Sequence, residues 1–167
     1  MEISTVLIAN RSEIAIRIAR AASDLGKRAV AIYSEDDQDN LHLRVADEAA
    51  ALAGAGPNAY LDINNIISIA KARGCDAIHP GYGFLSERVD FAERCREEGL
   101  IFIGPREEHL SLFGDKTAAR NTAETIGIPV LRGMNHAVSA EEAKEFFETV
   151  SPNRMIIKAL AGGGGRG

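Results

Sequence analysis

The sequence predicts an α/β fold on an open parallel sheet, and three observations carry that reading. Apolar-centred runs short enough for strands recur at Val6-Leu7-Ile8-Ala9, Ala29-Val30-Ala31-Ile32-Tyr33, Asp76-Ala77-Ile78-His79 and Leu100-Ile101-Phe102-Ile103. Between them the apolar residues repeat at helical spacing, and glycines stand where those helices should stop. Strands that are continuously apolar and separated by helices form parallel sheets covered on both faces.

The elements follow in chain order. After the first run, Ile14, Ile18, Ala21 and Leu25 mark an apolar helix face opposite Arg17, Arg20 and Asp24, and Gly26 ends the helix. The run at 29–33 leads into the acidic loop Ser34-Glu35-Asp36-Asp37, which completes a β-α-β unit. A weaker strand is expected around Ala49-Ala50-Ala51-Leu52, and the turn Gly54-Ala55-Gly56-Pro57 precedes a helix that starts near Asp62 and buries Ile63, Ile66, Ile67 and Ala70. Gly74 closes that helix, the run at 76–79 follows, and Ser86 is the expected cap of a helix through Cys95. Beyond Pro105 the pattern changes to a short helical patch at Leu110, Leu112 and Phe113, an interruption at Gly114-Asp115, and a helix over 116–126. Ser139-Ala140-Glu141-Glu142 fits a capping box and launches a helix with Ala143, Phe146, Phe147 and Val150 inward. A final strand is expected at Met155-Ile156-Ile157-Lys158, running into a glycine loop. A strand and helices alone cannot close a core in roughly forty residues. The region after Pro105 therefore reads as part of a larger fold.

Composition narrows the function classes. The 167 residues are 46% hydrophobic and 26% charged, which suits a packed core and excludes disorder. Net charge is -5 with no cationic stripe, so nucleic acid is not an expected partner. No apolar run approaches the ~20 residues of a membrane span, and Met1 leads almost directly into the first strand without a signal or transit segment, so a soluble, cytoplasmic protein is expected. Cys75 and Cys95 form no CxxC pair and have no histidine at ligand spacing, and read as reduced structural thiols.

Several residues have types and positions suited to chemistry. Gly162, Gly163, Gly164 and Gly165 follow a strand-like run, and backbone N–H groups without Cβ atoms around them can turn toward one anion, which suits a triphosphate. The alternative is a flexible hairpin tip or linker. It is not a Walker A loop, because Lys158 precedes the glycines and Arg166 follows them. Lys116, after Gly114-Asp115, carries a weaker signal, since a lysine at a helix start is usually a solvated charge. The run His79-Pro80-Gly81-Tyr82-Gly83-Phe84-Leu85-Ser86-Glu87 follows a strand, where open parallel sheets collect ligands; alternatively His79 and Tyr82 only bind the turn while Phe84 and Leu85 plug the core. The first βα turn, Ala9-Asn10-Arg11-Ser12-Glu13, contains no glycine, which argues against a nicotinamide or flavin site.

Taken together, Ile8-Ala9-Asn10-Arg11-Ser12-Glu13-Ile14-Ala15, Ala46-Asp47-Glu48-Ala49, the 79–87 run, Phe102-Ile103-Gly104-Pro105, Gly114-Asp115-Lys116 and the 158–167 stretch resemble the successive signatures of biotin carboxylase, in that family's order and over almost the whole chain. The resemblance implies a Rossmann-like pre-ATP-grasp domain over 1–105, a helical connector over 106–127 and the start of an incomplete ATP-grasp lid over 128–167. It implies ATP- and bicarbonate-dependent carboxylation of biotin through carboxyphosphate, with biotin on a carrier domain, a carboxyltransferase as the next partner, and a homo-oligomer, as a dimer. By the same resemblance Lys116 and Lys158 meet the ATP phosphates and Gly162, Gly163, Gly164 and Gly165 cover them. Tyr82, Gly83 and Glu87 border the biotin and bicarbonate pocket. The Mg²⁺ ligands, the bicarbonate-binding arginine and the catalytic base follow Gly167 in the family, so none is expected within this chain, which taken alone is expected to be inactive. Ser12 and Ala161 depart from the family pattern, where glycine is usual. Tyr60-Leu61-Asp62-Ile63 looks closer to multi-domain acyl-CoA carboxylases than to free-standing subunits. The final carboxyl acceptor stays open among an acyl-CoA, pyruvate and urea. Two other readings stand beside this one: a carbamoyl-phosphate synthetase-like ATP-grasp ligase, which the 79–87 run disfavours, and a nonenzymatic interaction module.

Overall fold

A computed structural model describes residues 2–150 and 154–158. The chain divides into two compact units, Met1–Glu107 and Glu108–Gly167. The first is α/β: β1 (Thr5–Ile8), α1 (Ser12–Asp24), β2 (Arg28–Tyr33), α2 (His42–Val45), β3 (Glu48–Ala51), α3 (Ile63–Ala72), β4 (Ala77–His79), α4 (Val89–Glu97) and β5 (Ile101–Phe102). Single 3-10 turns at Glu35–Asp37 and Pro57–Leu61 join these elements.

All pairings are parallel, in the order β3-β2-β1-β4-β5. β1 is central, with Leu7 opposite Val30 on one side and Ile78 on the other. Both faces of its pleat are covered. Leu7, Val30, Ile32 and Ile78 pack with Ile66, Ile67 and Ala70 of α3 and Phe91 and Cys95 of α4. Ile8 and Ala29 meet Ala15, Ile18, Ala19 and Ala22 of α1 on the other face. This two-sided burial is what the continuous apolar runs required. Carboxylates pin the strand starts: Asp76 Oδ2 accepts from the N–H groups of Ser4 (2.8 Å) and Thr5 (2.9 Å), and Asp47 Oδ2 accepts from Ala29 N–H (2.8 Å). Asp62 caps α3 by accepting from Asn65 N–H at 3.0 Å.

Four expectations need correction. The buried face of α1 is Ala15, Ile18, Ala19 and Ala22, with Ile14 packed partly buried beside it, whereas Ala21 and Leu25 are exposed, because the small alanines let α1 lie close on the sheet. Ser86 caps nothing. Phe84 takes a left-handed φ of 41°, the chain turns there with Ser86 N–H donating to Gly83 O, and α4 begins only at Val89. The last strand of the sheet is shorter than the apolar run, Ile101–Phe102. No strand forms over 154–158, since a strand needs a ladder partner and the other described elements of that unit are helices.

Those helices are the end of α5 (Glu107–Gly114), α6 (Lys116–Thr125) and α7 (Ala140–Thr149). Asp115 caps α6 by accepting from Thr117 and Ala118 N–H at 2.8 and 3.0 Å. Ser139 and Glu142 form the reciprocal capping box of α7. Arg132 donates to Thr149 O at 3.1 Å and lies over the Phe146 ring, tying the segment before α7 to its end. Of α7 only Ala143 is buried, while Phe147 is exposed, as are Ile126, Leu131, Ile156 and Ile157 elsewhere in the unit.

Candidate functional site

The strand order fixes where a ligand fits. The connection after β1 runs through α1 on one face to β2, and the connection after β4 runs through α4 on the other face to β5. Adjacent parallel strands whose connections leave in opposite directions open a crevice at their carboxyl ends. Its walls are the β1–α1 turn, residues 9–11, and the loop over 79–87.

Asn10 joins the two walls. Its side-chain Nδ2 donates to Pro80 O at 2.7 Å and to Tyr82 O at 2.9 Å, and its Oδ1 accepts from Arg11 N–H at 2.9 Å. Ala9 N–H donates to His79 O at 2.9 Å, and His79 Nδ1 accepts from Gly81 N–H at 3.0 Å. Burial lowers the His79 pKa, which favours the neutral ring this acceptor role requires. Gly81 has a φ of 67° and a Cβ on it would lie 2.6 Å from Asn10 Nδ2, so both conformation and space demand glycine there. Tyr82 stands out from the loop, 63% exposed, with its hydroxyl donating to Glu13 Oε2 at 3.3 Å. Gly83 and Glu87 are exposed on the same loop.

Beneath the loop lies a polar network. Arg11 Nη1 donates to Asp37 Oδ2 at 2.9 Å, and the Tyr60 hydroxyl donates to the same oxygen at 2.8 Å while accepting from Ser34 N–H at 3.2 Å. Asn40 Nδ2 donates to Asp37 Oδ1 at 2.8 Å. Burial pushes the Asp37 carboxyl up, yet the hydrogen bonds from Arg11, Tyr60 and Asn40 outweigh it and hold it below the ordinary carboxylate value. Burial first, then Asp37, push the Tyr60 phenol up to about 12. The Arg11 guanidinium sits 5.6 Å from the Tyr60 ring centroid and 5.8 Å from that of Phe84, and the two rings stack at 5.0 Å. His42, fully buried, faces Ile32 O with Nε2 at 3.1 Å and Ser12 N–H with Nδ1 at 3.4 Å. A carbonyl only accepts, so Nε2 carries the proton, and burial lowers the ring's pKa to match. Ser12 itself has a φ of 53°.

Of the residues singled out from sequence, Tyr82, Gly83 and Glu87 share one exposed loop at the crevice. Lys116 opens α6 and Lys158 ends the 154–158 stretch, both exposed and both in the second unit. Gly162, Gly163, Gly164 and Gly165 lie outside the described residues. Among the described residues no three His, Cys, Asp or Glu gather as metal ligands do, and no helix is long and apolar enough to cross a membrane. Both cysteines are free and buried, their thiols pushed up by burial to about 11 for Cys75 and about 12 for Cys95. The roles of Asn10, Arg11, Asp37, Tyr60 and His42 were not assigned from sequence. The only linear signal was a run of polar residues directly after β1 and another after β2.

Residues 2–110 match the family described as biotin carboxylase, N-terminal domain. The chain belongs to this family. Its resemblance to biotin carboxylase, read from the motifs, is thus borne out, as is the α/β fold. The chain is 55% identical to pyruvate carboxylase of Bacillus subtilis over 99% of its own length and 14% of that protein. It is 47% identical to biotin carboxylase 1 of the same organism, over 99% of this chain and 37% of the relative. The chain therefore spans well under half the length of either relative. Among solved structures, the biotin carboxylase domain of a single-chain bacterial carboxylase superposes with a TM-score of 0.85 at 49% identity, covering 87% of this chain and 34% of that one. A single-chain, multi-domain long-chain acyl-CoA carboxylase gives a TM-score of 0.84 at 44% identity, covering 86% of this chain and 14% of that one.

Proposed function

We propose that this chain forms the amino-terminal part of an ATP-dependent ligase that carboxylates carrier-borne biotin with bicarbonate, through carboxyphosphate, and feeds an acyl-CoA or pyruvate carboxylase. The observation that supports it best is the likeness, over 99% of this chain, to part of both a pyruvate carboxylase and a biotin carboxylase, carried by a chain whose 79–87 loop stands open at the sheet's crevice. In this reading residues 1–105 are the pre-ATP-grasp domain, 106–127 the connector and 128–167 the start of the ATP-grasp lid. The side chains of Lys116 and Lys158 bind ATP phosphate oxygens by charge-assisted hydrogen bonds, stabilising charge as the phosphoryl group transfers to bicarbonate. The backbone of Gly162, Gly163, Gly164 and Gly165 covers the phosphates. Tyr82, Gly83 and Glu87 border the pocket for biotin and bicarbonate, and the exposure of that loop between two positive-φ glycines suits close approach by a carrier-borne ring. The Mg²⁺ ligands and the catalytic base are not assigned to any of these residues. The partners are a biotin carboxyl carrier domain, a carboxyltransferase and a second copy of the complete carboxylase, in the cytoplasm. The 79–87 loop also favours biotin over the carbamoyl-phosphate synthetase-like alternative.

The test uses the full-length enzyme. Lys116→Gln and Lys158→Gln each remove a charged hydrogen bond of on the order of 1.5–3 kcal/mol, so the ATP KM rises or turnover falls by about ten- to a hundredfold. Wild-type values for both KM and kcat in both variants place the phosphate site elsewhere.

A further inference from the structure

We infer that Asn10 is a positioning residue that sets the biotin-side loop through its backbone; this rests on the assignment of Tyr82 and Gly83 to the biotin pocket. The Asn10 side chain is 3% exposed, and both of its N–H donors and its oxygen are engaged. Its two N–H bonds go to the carbonyls of Pro80 and Tyr82, the residues flanking Gly81, and its oxygen is held by the Arg11 N–H of its own turn. The amide therefore ties β1's carboxyl end to the Pro80–Gly81 and Tyr82–Gly83 peptide units. Rotation of either unit would move the Tyr82 side chain and re-aim the Gly83 N–H. Asparagine is the side chain this geometry requires. An aspartate has the same shape but presents oxygen, without a proton, to two carbonyl oxygens. A glutamine is one methylene too long for a site in which a Cβ at Gly81 already meets Nδ2 at 2.6 Å and Ile14 Cγ1 at 3.1 Å.

The loop has other supports, so loss of Asn10 displaces it rather than unfolding it. Ala9 N–H still holds His79 O, His79 Nδ1 still holds Gly81 N–H, and Phe84 remains stacked on Tyr60 beneath Arg11. The expected signature is a split between substrates. Biotin recognition depends on where Tyr82 and Gly83 point, whereas the phosphate lysines belong to the second unit.

The experiment compares Asn10→Asp, Asn10→Ala and Tyr82→Ala in the full-length carboxylase, with free biotin, ATP and bicarbonate as the varied substrates. Loss of two neutral hydrogen bonds in Asn10→Asp is expected to raise the biotin KM by about tenfold and to leave the ATP KM within about twofold. Tyr82→Ala reports on the underlying assignment: an unchanged biotin KM there shows that this loop does not border the biotin pocket. A raised biotin KM in Tyr82→Ala with wild-type behaviour in both Asn10 variants overturns the positioning role alone. Equal increases in the biotin and ATP KM of the Asn10 variants also overturn it, because they show general damage to the fold. Should the Asn10 variants not fold, Gly81→Ala decides, since its Cβ displaces the same amide from the other side; it must raise the biotin KM selectively, and a wild-type or unselective profile refutes the inference.

Discussion

Replacing Ser12 by glycine should stabilise the first unit, an unusual direction for a substitution at the start of a helix. Ser12 is the first residue of α1 and has a φ of 53°, in the left-handed region that a Cβ disfavours. That conformation costs an L-residue about 1–2 kcal/mol, whereas glycine adopts it freely. Against this stands the greater freedom glycine gives the unfolded chain, about 0.5–1 kcal/mol. The Ser12 side chain is exposed, and the bond that matters, Ser12 N–H to His42 Nδ1, comes from the backbone and survives the change. The net gain is therefore about 0.5–1 kcal/mol, which corresponds to a rise in Tm of about 2–8 °C for a unit of this size. Thermal unfolding of the 167-residue chain followed by circular dichroism measures it, with Ser12→Val as the counter-test, since a β-branched residue in that region is worse than serine. A lower Tm for Ser12→Gly, or an unchanged one for Ser12→Val, would falsify the claim that Ser12 is strained.

Three further outcomes follow from the buried polar groups. Asp37→Asn leaves Arg11 and Tyr60 without their charged acceptor and should cost about 2–3 kcal/mol in urea unfolding. Because the folded Asp37 pKa lies below the unfolded value of about 3.9, its contribution is complete above that pH and is lost as the pH falls through the folded pKa; the variant should show a shallower acid limb than the parent. His42 and His79 both have lowered pKa values, so the unfolded chain takes up protons first as the pH falls below about 6.5, and stability should drop from there toward lower pH; a flat profile between pH 7 and 5, measured by Tm, contradicts the neutral assignment of these rings. Cys75 and Cys95, buried and with raised pKa values, should resist iodoacetamide at pH 8 in the native chain and react fully in denaturant, as read by intact mass.

Strands and helices were legible wherever a stretch of sequence decides its own burial. Leu7, Val30, Ile32 and Ile78 announce a two-sided sheet by being apolar without alternation, and Asp62 and Ser139 announce helix starts by the bonds their side chains make locally. The face of α1 was read correctly at Ile18 and partly at Ile14 but not at its end, because Leu25 outranks alanine in hydrophobicity, yet close packing on a sheet selects the small Ala15, Ala19 and Ala22. The start of α4 was misread because the turn through Phe84 depends on its ring reaching Tyr60, which local sequence does not encode. The exposed side of the candidate site, Tyr82 between two glycines, was visible as a loop after a strand. Its supports were not: Arg11 and Asp37 are 26 positions apart, Tyr60 and Asp37 23, and Asn10 is 70 from Pro80, so only the sheet's parallel order makes neighbours of them.

Asn10, Arg11, Asp37 and Tyr60, the polar side chains gathered beneath the 79–87 loop, all lie earlier in the chain than the loop. A ribosome adding about 5–20 residues per second delivers Tyr60 about 1–4 s, and Asn10 about 4–14 s, before it delivers Tyr82. β1, β2 and β3 are consecutive in both sequence and sheet, so the frame can assemble as it emerges, and β4 then enters beside β1 with its loop arriving onto amide, guanidinium and phenol groups already in place. Damage to Asn10 or Asp37 is therefore felt during synthesis, when the nascent loop has fewer groups to settle on, as well as in the finished fold.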